Sequence, residues 1–239
     1  SLFGMEPVWR GEHSDLGTVN CIFNFNNTYF ELLAAKGKGL GASLVKKTIE
    51  EKGEGLTGIV LGTENIENSK DYLITKGFEF GNILTGEGMD YDHEKVRKWK
   101  NLFLPHELTR GLFSFVIQHT HGELPIPEIF PDSSVHKLDH IVINTNDPDG
   151  FISLYRDKFG IRLVLDKVIE QWKTRILFFR INKTTIEVIN KHNQEQKSQD
   201  SLWGLSWVVE DIKAAHERLV SRGVEVTNVK DGIKPKKSY

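Results

Sequence analysis

Cysteine occurs once in the 239 residues, so Cys21 can form no internal disulfide and no cysteine-built zinc cluster. A reducing, cytoplasmic setting is the expectation. Neither sign of charge dominates: 31 Lys and Arg face 33 Asp and Glu, a net charge of −2 with a pI near 6.5. That balance offers no electrostatic footprint for a nucleic-acid backbone or an anionic lipid surface. No apolar run approaches the roughly 18–20 residues of a membrane span, and the first residues lack the basic-then-apolar order of a secretory signal. Apolar residues are sparse at 38%, mean hydropathy is −0.35, and the charged share of 27% is ordinary. A nucleophile elbow, a Walker loop and a CxxC pair are all missing. Gly37-Lys38-Gly39-Leu40-Gly41 lacks the strand-turn-helix context of a dinucleotide loop and reads as a flexible connection.

The length fits two domains of roughly 100–150 residues each. Three of the seven prolines, Pro125, Pro127 and Pro131, fall within residues 122–137, a stretch without helical or strand period. It reads as a linker between a first domain, residues 1–121, and a second, residues 138–239. Residues 191–201 (KHNQEQKSQDS) read as a long exposed loop.

An internal repeat dominates what is present. GIVLGTENIENSKDYLITKGFEFGNIL from Gly58, HIVINTNDPDGFISLYRDKFGIRLVL from His140 and GLSWVVEDIKAAHERLVSRGVEVTNV from Gly204 share one grammar. Each opens on a β-rich run, passes a helix-capping residue (Asn65, Asp147 or Asp149, Asp211), and shows helical spacing such as Phe151, Leu154, Tyr155 and Phe159. Each helix then stops at Gly77, Gly160 or Gly223, which lie 19, 20 and 19 residues after the start, and a further strand is expected. TRILFFRI and TTIEVIN follow the middle copy as a hairpin turning at Asn182-Lys183, which makes the unit βαβββ. GTVNCIFNF and TYFELLAA, around Asn26-Asn27, read as the same closing hairpin of an earlier unit. Four units are expected, the first short of its opening strand and helix and the last of its closing strands. Such curved sheets must pair, and pairing encloses a cavity.

His140 and Glu187 each stand alone in an apolar strand, where an ionisable group needs a partner or a metal. If the first and last strands of the unit are neighbours, the two side chains meet. They then form either the nucleus of a site for Zn, Ni, Mn, Fe or Co, or a hydrogen-bonded pair inside a polar cavity. Glu31 holds the equivalent place in the first half, while Gly58 and Gly204 stand where the other units would carry a histidine. His119 and His121, at strand spacing on one face, could chelate in a second cavity with Glu31. His13 reads as a turn residue, His216 as part of a solvated helix face and Cys21 as a small core residue.

The ordered set LDHIVINTND, YRDKFGIRLVLD, RILFFRI and TTIEVIN resembles a glyoxalase module, and GEHSDLGTVNCIF with YFELLA is similar to bacterial glyoxalase-like domains. The resemblance is to the vicinal oxygen chelate superfamily, which includes lactoylglutathione lyase, extradiol dioxygenases and methylmalonyl-CoA epimerase. It implies an α+β fold of tandem βαβββ modules, paired into two glyoxalase-like domains with curved mixed sheets around a cavity. It further implies a divalent metal on His140 and Glu187, Glu187 serving as ligand or general base, and a small-molecule substrate or ligand. Two functions follow as expectations. One is a metal-dependent lyase, isomerase or dioxygenase acting on a small oxygenated molecule; the other is a non-catalytic binding protein, with Trp203 and Trp207 lining its cavity. The chain is expected as a monomer or homodimer.

Overall fold

The computed structural model describes residues 1–127, 130–182, 184–191 and 199–231. The first half begins with β1 (Trp9–His13), β2 (Thr18–Asn24) and β3 (Tyr29–Ala35), and continues with α1 (Leu40–Lys52), β4 (Gly58–Gly62) and α2 (Ile66–Thr75). β5 (Leu84–Asp90), β6 (Val96–Phe103) and β7 (Phe113–His121) complete it. The second half holds β8 (Val135–Asn144), α3 (Pro148–Ile152), β9 (Arg162–Ile169), β10 (Thr174–Ile181) and β11 (Thr184–Lys191). β12 (Ser201–Val209) and α4 (Ile212–Ser221) follow. A π-helical turn over residues 153–158 extends α3.

Two mixed sheets result, one ordered β3-β2-β1-β5-β6-β7-β4 and the other β12-β8-β11-β10-β9. The run β4-β7-β6-β5 repeats the order β8-β11-β10-β9, with a parallel pair, β4–β7 or β8–β11, in each. This is the strand order of the expected repeat. Its helices start and stop where the local chemistry requires. The side chains of Asn65, Asp147 and Asp211 accept hydrogen bonds from the backbone of Asn68, Gly150 and Lys213, satisfying N–H groups that the first turn leaves free. Gly77, Gly160 and Gly223 adopt the left-handed conformation at the far ends, with φ of 87°, 71° and 73°.

Several expectations are corrected. β9 follows Gly160 at once, but after Gly77 the next strand opens only at Leu84, and residues 224–231 contain none. The Gly37–Gly41 stretch is no loose connection, because Gly39 caps α1, a helix that the weak apolar spacing of its sequence concealed. β8 starts at Val135, inside the stretch read as a linker. Of the loop read as exposed, residues 192–198 lie outside the described residues, while Asp200 is buried and Ser201 opens β12.

Alternation along the strands gives each sheet a face that packs on its helices. Ile143, Leu177, Phe179, Ile186 and Val188 are fully buried against Phe151 and Tyr155, whose rings stack at 4.0 Å. Leu112 and Ile59 from the first half join this core. Ile66 and Leu73 of α2 pack likewise on Leu102 and Val116. A third cluster holds Phe3, Phe23 and Phe25 against Trp207. Trp207 is therefore a packing residue at a contact between the halves, and Trp203 is 69% exposed, so the expected tryptophan-lined cavity is not formed by these two.

On the opposite face of the seven-stranded sheet, glycines make room for large rings. A Cβ on Gly86 would overlap the buried indole of Trp99, which is rigid and has nowhere to move. Gly86→Ala is expected to cost about 1–3 kcal/mol by overpacking. Thermal unfolding followed by near-ultraviolet circular dichroism checks this, and an unchanged melting temperature would contradict the packing described.

Candidate functional site

His140 lies on β8 and Glu187 on its parallel neighbour β11, in the register Thr185 to His140 and Glu187 to Val142. Both side chains therefore leave the sheet on the face away from the α3 core. His140 Nε2 lies 3.1 Å from Glu187 Oε2, and His140 Nδ1 lies 2.9 Å from Asp139 Oδ2. The His140 and Glu187 side chains retain 21% and 18% exposure, so they border an accessible face rather than the packed interior. A neutral imidazole has one N–H and can donate to only one of the two carboxylates. The Nδ1 contact with Asp139 is a hydrogen bond, while Nε2 meets Glu187 at ion-pair distance.

The same geometry tests the implied metal. Ser206 stands opposite His140 and Gly204 opposite Val142 on β12, and neither brings an imidazole or a carboxylate. No three of His, Cys, Asp and Glu come together as a metal-holding group among the described residues. Two protein donors fall short of the three that a catalytic zinc ordinarily takes. The described residues do not fit a complete metal site.

In the first half, the strand pair β4–β7 corresponds to β8–β11. There Gly58 pairs with Phe113 and Val60 with Phe115, so glycine and phenylalanine replace the histidine and glutamate. A different polar cluster lies further along this sheet. Tyr29 and Glu31 on β3, Asn20 on β2 and His13 on β1 share a face with Arg97 on β6 and His119 on β7. Asn20 Nδ2 donates to Glu31 Oε1 at 2.8 Å, and Trp9 Nε1 donates to Asn20 Oδ1 at 3.1 Å. His13 is a buried strand residue rather than a turn residue. Its Nδ1 lies 2.9 Å from Thr18 Oγ1 and its ring meets Trp99 edge-on.

His119 and His121 do not share a face. The β6–β7 register slips, so His119 pairs with Trp99 while His121 pairs with the adjacent Lys98. His119 turns toward Tyr29 and Arg97, and His121 is separated from the cluster. His216 is half-buried on α4, and Cys21 is half-buried on β2 with its thiol raised above its usual range by burial. The basic-looking VRKWKNLF sequence of β6 gave no signal that Arg97 turns inward, because that depends on the strands either side.

Desolvation and the Arg97 charge push the His119 imidazole down from 6.5 to about 4. The unfolded chain takes up this proton near 6.5, but the folded protein does so only near 4. His119 therefore makes stability fall as pH is lowered through that window. A two-dimensional NMR titration is expected to show His119 still neutral at about pH 5, where an ordinary histidine is charged; an ordinary titration would contradict the assigned environment.

The strand order and the paired βαβββ units agree with the sequence comparison, in which residues 1–135 match the model of the glyoxalase-like domain. The chain belongs to the glyoxalase-like domain family. Residues 137–234 match the glyoxalase/bleomycin resistance protein/dioxygenase superfamily, so both halves are glyoxalase-like domains of one α+β architecture. No curated protein matches the chain. A hypothetical protein from Staphylococcus aureus shares the fold with a TM-score of 0.59, at 17% identity over 77% of each chain. Methylmalonyl-CoA epimerase from Mycobacterium tuberculosis is 23% identical, covering 44% of this chain and 78% of its own, with a TM-score of 0.37. The Streptomyces coelicolor epimerase in complex with 2-nitronate-propionyl-CoA is 18% identical over 40% of this chain and 77% of its own, with a TM-score of 0.35. Among the described residues of this glyoxalase-like chain, no helix is long and apolar enough to cross a membrane.

Proposed function

We propose that the second domain is an enzyme of the isomerase type that moves a proton on a small oxygenated molecule. The observation that carries this reading is the 3.1 Å contact between His140 Nε2 and Glu187 Oε2 on a half-open sheet face. The Glu187 carboxylate accepts a proton from the carbon beside a substrate carbonyl. The C–H bond breaks and its electron pair moves onto the carbonyl oxygen as an enolate. Return of a proton to carbon, through the Asp139–His140–Glu187 relay, completes the shift without an oxidant or reductant. The mechanism rests on this chain's own acid and base groups, since the described residues do not complete a metal site.

Solvent exchange tests the reading before the physiological substrate is known. Pyruvate, 2-oxobutyrate, lactaldehyde and propionyl-CoA are each incubated with the protein in D2O, and loss of the proton beside the carbonyl is followed by NMR. Enzyme-dependent exchange in at least one compound is expected, unchanged within twofold after dialysis against EDTA. No exchange in any of the four, or exchange equal to that of His140→Ala, would overturn the proposal.

A further inference from the structure

Arg97 is the unusual buried charge of this fold. The residue is 5% exposed, and its Nε is buried without a hydrogen-bond partner. The half-buried arginines have partners: Arg110 pairs with Asp200 at 2.7 Å and Arg175 with Asp149 and Asp166 at 2.9 and 2.8 Å, and Arg218 donates to the backbone carbonyls of Leu2 and Ser133 at 3.0 and 3.1 Å. Arg97 makes no such ion pair among the described residues. Its polar neighbour is His119, whose Nδ1 lies 3.4 Å from Nη2, and its flat face lies over Trp9 with Cζ 5.5 Å from the ring. A guanidinium taken out of water without a carboxylate is costly, and a planar two-pronged donor is the side chain best matched to a bound anion.

The surroundings complete such a site. Tyr29 Oη lies 3.4 Å from His119 Nε2, so the phenol, the imidazole and the guanidinium converge from β3, β7 and β6. Tyr29 and Glu31 keep part of their surface accessible, yet loss of solvation raises both groups above their ordinary ranges. His119 itself is exposed, so this sheet face beside Arg97 is reachable from solvent.

The structure assigns to Arg97, His119 and Tyr29, on the sheet face of the first domain away from α2, a binding site for a small organic carboxylate, distinct from the His140–Glu187 pair. The guanidinium takes the carboxylate oxygens and the Tyr29 hydroxyl donates alongside, while Glu31 stands ready to accept from a neighbouring hydroxyl of the ligand. The geometry is independent of any reaction in the second domain.

Acetate and benzoate, with benzamide as the uncharged counterpart and inorganic phosphate as the alternative anion, are titrated into the full chain. Binding is read from the indole N–H resonances of Trp9 and Trp99 by NMR. Both carboxylates are expected to shift these two resonances saturably and benzamide to leave them unmoved. Glu31→Gln is expected to tighten benzoate binding at least threefold by removing a competing negative charge. Arg97→Lys should weaken it at least tenfold. If that variant does not fold, Tyr29→Phe combined with His119→Gln, both more exposed than Arg97, should weaken binding at least threefold. His140→Ala should leave it unchanged. Absence of carboxylate binding, phosphate binding tighter than benzoate, or affinity unaffected by the Tyr29 and His119 changes would overturn the assignment.

Discussion

Glu187→Gln is expected to lower proton exchange by about 10²–10⁴-fold, the range that a positioned general base supplies. The amide is nearly the same size and can still hydrogen-bond His140, but it cannot accept the substrate proton. The loss should appear in kcat with KM little changed, because the interaction is made as the proton moves. His140→Gln tests the partner. It removes the group that links Glu187 Oε2 to Asp139, at 3.1 and 2.9 Å from the two ring nitrogens. Its expected effect is a smaller rate loss with a displaced pH profile, which a purely structural role would not produce. Melting temperatures within about 3 °C of the unsubstituted protein accompany both, since neither side chain belongs to the α3 core. A Glu187→Gln protein retaining more than a tenth of the exchange rate would remove Glu187 from the role of base.

Arg110→Ala is expected to destabilise the chain by about 3–5 kcal/mol, because it strands a buried carboxylate. The Asp200 side chain is 2% exposed, and its partners are Arg110 Nε at 2.7 Å and Thr145 Oγ1 at 2.7 Å. Arg110 also donates to Asp147, the residue that caps α3. One side chain from the loop between β6 and β7 thus ties the first domain to both the entry of β12 and the start of α3. For a chain of this length the expected cost corresponds to a fall in melting temperature on the order of 10 °C. Asp200→Asn in the Arg110→Ala background should recover part of the loss, since the orphaned group is then neutral. Replacing the exposed Lys47, whose Glu51 contact is 3.7 Å long, should by contrast change stability by less than about 0.5 kcal/mol. Chemical denaturation distinguishes the cases. A loss below about 1 kcal/mol for Arg110→Ala would show that the network is not a joint between the domains.

Much of the second domain was legible in the sequence because its signals are local. An aspartate that caps, an apolar stripe such as Phe151, Leu154 and Tyr155, and a glycine held at positive φ all act within a few residues of one another. The β10–β11 and β2–β3 hairpins were equally readable, since their turns and alternation lie in continuous sequence. His140 and Glu187 stood out for the related reason that a charge in an apolar strand is costly wherever the strand pairs. By contrast, VRKWKNLF carries three basic residues that suit a solvated strand equally well, and α1 has too weak an apolar stripe to announce itself.

The amino-acid sequence by itself determined the repeating βαβββ unit, the ends of its helices and the two ionisable residues of the second domain. Capping, turn geometry and strand alternation are short-range effects, so the chain expresses them without reference to distant segments. Only the tertiary structure decided that His140 and Glu187 come within 3.1 Å, that one register slip separates His121 from His119, and that Arg97 is enclosed with its Nε unpartnered among the described residues. Each depends on which strands become neighbours and in what register. Pairing is set by the burial of whole sheet faces, and a shift of one residue exchanges the two faces.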